Sequence, residues 1–152
     1  MAGMLMILLI GAFILMRFIA VSRISFVAAE FIAGLTINKY IILVIILFVY
    51  IILGMFFDVM AIIILTVPII FPTIVALDFN LVWFGVILVR VAEVGFITPP
   101  FGLNLFGLMG ATNIEASSLY RGVFPFVIAD FFHIALLIAV PWLSLFLPTM
   151  MM

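Results

Sequence analysis

The sequence predicts an all-α polytopic membrane protein, and three observations predict it. Hydrophobic residues make up 71% of the chain and charged ones 7%, against about 45–50% and about 25% in soluble domains. The 18 Phe and 10 Met stand beside only five Lys/Arg and six Asp/Glu, too little polar surface to cover a water-soluble particle. The apolar residues also run in stretches long enough to cross a hydrocarbon core of about 30 Å, which takes about 20 helical residues. In 152 residues that leaves room for about four or five segments at membrane depth.

The first of them covers residues 1–20, a transmembrane helix. No Lys or Arg precedes its apolar run, so the basic region of a cleaved signal is missing and the span is expected to be retained. Arg17 stands near its end, where a long side chain reaches the headgroups. Residues 21–38 follow as an amphipathic arm in the membrane interface. Ile24, Val27, Ala28, Phe31, Ile32 and Leu35 recur at spacings of three and four, and Ser22, Arg23, Ser25, Ala29 and Glu30 take the other face. Gly34 and Asn38 are the expected stop, and Lys39 marks a new membrane boundary.

Residues 39–78 are nearly twice the length of one span and carry Asp58 as the one charge between Tyr40 and Leu77, so the chain must turn back within them. The turn is expected in GMFFD, Gly54 to Asp58. Pro68 and Pro72 are expected to weaken the second arm as a regular helix. Two geometries satisfy this: a pair of full spans, or a re-entrant hairpin whose tip stops at membrane depth.

Residues 81–109 read as a discontinuous transmembrane helix broken at 98–100. Thr98-Pro99-Pro100 removes two consecutive backbone donors, and Gly95, Gly102 and Gly107 surround it. Both flanks are apolar, which places the break inside the membrane. A polar loop or short helix from Gly110 to Arg121 leads to the final transmembrane helix, residues 122–147, with Pro125, Asp130, His133 and Pro141. Three of the five basic residues lie between Arg17 and Lys39, and the positive-inside rule puts that stretch in the cytoplasm.

Composition also excludes function classes. A net charge of −1 without a basic patch argues against nucleic acid. The absence of cysteine excludes disulfides, Cys-ligated zinc and iron–sulfur clusters. No Ser–His–Asp order, phosphate loop or paired metal-ligand motif points to an enzyme. The one enzymatic alternative, an intramembrane aspartyl dyad, requires Asp58 and Asp130 to approach within hydrogen-bonding distance.

Two places carry the chemistry of a transport site. Asp58 is ionisable and far from any boundary, and a backbone break beside it would add free carbonyls to its carboxylate, a hard-oxygen set suited to a small cation. As a hydrated turn residue it would carry no such role. In GFITPPFGLN, Gly95 to Asn104, an interrupted helix exposes carbonyls from its first half and amides from its second, so it can bind a cation on one side and an anion on the other. A purely structural kink usually needs one proline. Arg90 and Glu93 read as a structural ion pair, and Asp130 with His133 as polar residues facing water.

The stretch Leu53 to Asn80 (LGMFFDVMAIIILTVPIIFPTIVALDFN), WFGV from Trp83, EVGFITPPFGLNLF from Glu93 and YRGVFPFVIAD from Tyr120 together resemble the C-terminal part of the large membrane subunit of tripartite ATP-independent periplasmic (TRAP) transporters, the DctM-like permeases. Nearly the whole chain fits in order. Val59 departs from the resemblance, standing where a proline often follows the aspartate.

The resemblance implies the second inverted repeat of an elevator-type transporter, with a re-entrant hairpin in residues 39–78 and a discontinuous helix in 81–109. It implies sodium as coupling ion with no cofactor, and uptake of an organic acid. Its expected partners are a periplasmic substrate-binding protein, a small membrane subunit and a missing N-terminal part of the permease that holds the first repeat. The setting would be a bacterial or archaeal cytoplasmic (inner) membrane. Carried over position by position, Gly54 and Asp58 fall near the hairpin tip, and Thr98, Pro99, Pro100, Gly102 and Asn104 at the helix break: these form the expected sodium and substrate region. The family's symmetry brings the hairpin in from the periplasmic side, opposite to the count of basic residues. By itself such a fragment is not expected to transport. A structural or assembly membrane subunit without its own transport site is the alternative.

Overall fold

A computed structural model describes residues 2–34, 37–99, 102–112 and 114–151. The described residues form eight helices: α1 (Ala2–Ser22), α2 (Ile24–Ala33), α3 (Lys39–Phe56), α4 (Val59–Ala76), α5 (Leu81–Ile97), α6 (Leu103–Thr112), α7 (Ala116–Ala139) and α8 (Trp142–Met151). Among them α3, α4 and α7 are long and apolar enough to cross a membrane by length and composition. An 18-residue helix such as α3 spans about 27 Å at 1.5 Å per residue.

Local chemistry sets the helix starts. The side chains of Asn38, Asp58 and Asn80 accept hydrogen bonds from the backbone N–H groups of Tyr40, Met60 and Val82 at 2.9, 3.0 and 2.9 Å, capping α3, α4 and α5. The end of α4 is closed by Asp78 with φ 56°. Its N–H donates to the Val75 carbonyl and that of Phe79 to the Ile74 carbonyl, the paired bonds of a Schellman ending with a left-handed residue just past the helix.

Helix α5 is the centre of the fold. Trp83, Phe84, Ile87, Leu88, Val91, Ala92, Val94 and Gly95 are buried on it, and it touches α3, α4, α6, α7 and α8. The Trp83 indole donates to the Leu137 carbonyl at 2.8 Å, tying the start of α5 to the end of α7. At the same end Phe79 packs against Tyr40 and Trp83 with Lys39 over its ring, an amphipathic aromatic group of the kind found at membrane interfaces.

The structure departs from expectation in three places. First, α4 runs unbroken through Pro68 and Pro72; prolines are tolerated in membrane helices when neighbours cover the freed groups. Here α4 is wrapped by α1, α2 and α5. Second, α2 turns the other way round: Ser25 and Ala29, expected on the polar face, are buried, while Ile24, Val27 and Phe31 are exposed. Helices that associate in lipid gain nothing from hiding large apolar groups, and small residues let the backbones approach. Leu35 lies outside the described residues. Third, the last apolar stretch is two helices, α7 beginning at Ala116 and α8 at Trp142, with Val140 and Pro141 between them.

Candidate functional site

Gly54 does not lie in the turn. It sits inside the last turns of α3, buried against Gly95 of α5, where a Cβ added to it would meet the Ala92 carbonyl oxygen at 2.7 Å. With Tyr40 and Trp83 together at one end and Gly54 and Gly95 at the other, α3 and α5 run parallel. The link after α3 and the break after α5 therefore end on the same side of the bundle.

The link is two residues, Phe57 and Asp58. Asp58 is exposed, and its carboxylate caps α4. The break runs from Thr98 to Gly102, with Pro100 and residue 101 outside the described residues. It is held by short-range bonds: the Thr98 N–H donates to the Gly95 carbonyl, the Gly102 N–H to the Thr98 carbonyl at 3.0 Å, and the Thr98 hydroxyl to the Val94 carbonyl. Gly102 is buried, and its carbonyl accepts from the N–H groups of Leu105 and Phe106 at the start of α6. Pro99 is half-buried.

Between the link, the break and α7 lies a cleft of about 470 Å³, lined by Val59, Val89, Arg90, Glu93, Phe96, Ile97, Asn104 and Asp130. Asn104, in the first turn of α6, is the expected site residue that lines it directly. Asp58 and Thr98 stand one residue from the liners Val59 and Ile97. First-turn positions of a helix carry partial positive charge, which adds to the donors facing this space.

The charged members, Arg90, Glu93 and Asp130, are residues whose sequence pattern points only to a structural pair and a water-facing position. Arg90 does pair with Glu93, at 2.6 Å, but its other terminal nitrogen pairs with Asp130 of α7. Asp130 thus joins a bridge between helices, where a place facing water beside His133 was expected; His133 is exposed. The two aspartates of the enzymatic alternative are each engaged elsewhere, Asp58 on the α4 amide and Asp130 on Arg90. Arg90 Nε is buried with no hydrogen-bond partner, an unmet donor beside the cleft. The only signal of this set in the sequence was the cost of ionisable residues in lipid, which marks such residues without saying which helices will face each other.

The family model for the tripartite ATP-independent periplasmic transporter, DctM component, matches residues 1–143. The chain belongs to this family. Among its curated relatives, the C4-dicarboxylate TRAP transporter large permease protein DctM of Vibrio cholerae is 28% identical over 149 residues, 98% of this chain and 33% of the relative. The isethionate TRAP transporter permease protein DctMQ of Oleidesulfovibrio alaskensis is 30% identical over 99% of this chain and 23% of its own length. The sialic acid TRAP transporter permease protein SiaT of Haemophilus influenzae is 32% identical over 65% and 16%. This DctM-family chain spans a third or less of the length of these three. The relatives are named as transport permeases, in keeping with a multi-pass membrane protein and with a role other than catalysis.

Proposed function

We propose that this chain is the C-terminal part of a sodium-coupled secondary transporter permease. In this reading it imports an organic acid, delivered by a periplasmic binding protein, across the cytoplasmic membrane of a bacterium or archaeon. A small membrane subunit stands alongside, and the rest of the permease supplies the first inverted repeat. The observation that carries the reading is the convergence of the Asp58 link, the Thr98–Gly102 break and the Arg90 cleft at one end of α3 and α5. Irregular backbone in an otherwise apolar helical protein is tolerated where protein buries it or a wet cavity receives it. Broken helices of this kind hold ions and substrates in secondary transporters.

Each part has a chemical use. The Asp58 carboxylate and the carbonyls at the break are hard oxygen donors for a sodium ion. Arg90 and Asn104 are donors for an oxyanion, and a guanidinium suits a carboxylate in a two-point geometry. The three relatives above are named for a C4-dicarboxylate, isethionate and sialic acid, which share an oxyanion group and little else.

The test is uptake by the complete permease carrying this segment, reconstituted with its binding protein and an inward sodium gradient. Asn104→Ala and Thr98→Ala are expected to abolish sodium-driven uptake at unchanged membrane insertion. Uptake retained by both variants would overturn the reading in favour of an assembly subunit whose break shapes packing alone.

A further inference from the structure

Two apolar grooves lie side by side where α1 and α2 meet α4. The larger, about 570 Å³, is lined by residues that include Phe13, Arg17, Ser25, Phe26, Phe71 and Pro72. The second, about 370 Å³, shares Phe26, Phe71 and Pro72 with it and extends to Val75 and Glu30. Their common wall makes them adjacent channels, each within or near the size range of ligand sites, about 300–1,000 Å³. Neither belongs to the cleft at the α5–α6 break.

The polar groups on the larger groove are unusual in being unspent. No described carboxylate pairs with Arg17, since the ion pairs among the described residues are those of Arg90. Ser25 is 2% exposed, and its Oγ is buried with no hydrogen-bond partner. A buried hydroxyl left without a partner calls for one. Arg17 lies five residues before the end of the apolar helix α1 and is exposed, and a long basic side chain there can extend toward the headgroup level.

We propose that this double groove is a binding site for a diacyl phospholipid with an anionic headgroup. The acyl chains lie in the two channels on either side of Phe26 and Phe71, the headgroup phosphate faces Arg17, and Ser25 Oγ–H donates to an oxygen of the glycerol ester or phosphate. A molecule that satisfies both features must join apolar chains to an anion. Free phosphate has nothing to place in the channels, and a fatty acid fills only one. The inverted packing of α2 fits this arrangement, because its small inward residues leave room that large side chains would close.

The test uses the complete permease in mild detergent, incubated with phosphatidylglycerol or phosphatidylcholine and examined by native mass spectrometry. Phosphatidylglycerol is expected to stay bound through activation energies that strip phosphatidylcholine. Arg17→Gln should lower its retention at least tenfold, and Arg17→Lys, which keeps the charge, should preserve most of it. Phe71→Trp, which narrows both channels, should lower retention of either lipid. Equal retention of the two lipids, retention unchanged by Arg17→Gln, or no lipid adduct because another part of the permease covers the grooves would each overturn the proposal.

Discussion

Gly54 and Gly95 meet backbone to backbone: a methyl group added to Gly95 would lie 2.5 Å from the Ile51 carbonyl oxygen and 2.8 Å from Gly54 Cα. No side chain stands between α3 and α5 there, and the obstacle to a larger residue is main chain, which cannot rotate away. This contact sets how closely the end of α3 approaches the end of α5, and so how the Asp58 link stands to the Thr98–Gly102 break.

Replacing either glycine by alanine must push the two helices apart. Gly54→Ala and Gly95→Ala are each expected to cost about 1–3 kcal/mol, the usual range for overpacking, read as a fall in thermal unfolding midpoint of the detergent-solubilised protein. Gly85→Ala is the control. It is on the same helix, with nothing within 4 Å of an added Cβ, so it should be neutral or stabilising by up to about 1 kcal/mol. Equal effects at Gly85 and Gly95 would refute the close-crossing account.

The two carboxylates on Arg90 should behave differently. Glu93 is three residues away on the same helix and its side chain is 55% exposed, an arrangement worth about 0.2–0.5 kcal/mol. Asp130 crosses to α7 with 22% exposure, and its loss leaves a largely covered guanidinium half-paired, at a cost of about 1–3 kcal/mol. Glu93→Gln should therefore unfold at nearly the parent temperature and Asp130→Asn clearly below it. If Arg90 receives the substrate's oxyanion, the uptake assay adds a sign. Glu93→Gln frees the guanidinium and lowers KM, and Arg90→Ala raises it.

Asp78 sits at φ 56° just past α4, a conformation that costs a non-glycine residue roughly 1–2 kcal/mol. Asp78→Gly is expected to stabilise by about 0.5–1 kcal/mol once glycine's greater freedom in the unfolded chain is set against the relief. Asp78→Val should destabilise by more than that. Chemical denaturation in mixed micelles would resolve the two, and a destabilising Asp78→Gly would mean that the aspartate side chain holds the turn by contacts of its own.

What the sequence made legible was local. The turn at Asp58, the stop at Thr98-Pro99-Pro100 and the start of the next helix at residue 81 depend on a capping side chain or a missing N–H, which act within one turn of helix. What it hid was set across helices. Whether Ser25 or Phe31 of α2 faces inward depends on the solvent on the other side, and lipid reverses the rule that periodicity assumes. Pro68 and Pro72 predict a weakened second arm because the neighbours that wrap α4 lie elsewhere in the chain. Arg90 and Asp130 are 40 residues apart, and nothing in either segment names the other.

Asp58 carries two separable roles, and its two simplest variants separate them. The carboxylate accepts from the Met60 N–H at 3.0 Å and so caps α4; the proposed transport role needs its charge. Asparagine keeps an acceptor oxygen in the same place and is as good a cap as aspartate, whereas alanine offers none and costs about 0.5–2 kcal/mol. Asp58→Asn is therefore expected to unfold close to the parent temperature while sodium-driven uptake in the complete permease is lost. Asp58→Ala should lose both stability and uptake. Uptake that survives in Asp58→Asn with its sodium dependence intact would reduce Asp58 to a cap and move the cation site to the carbonyls of the break.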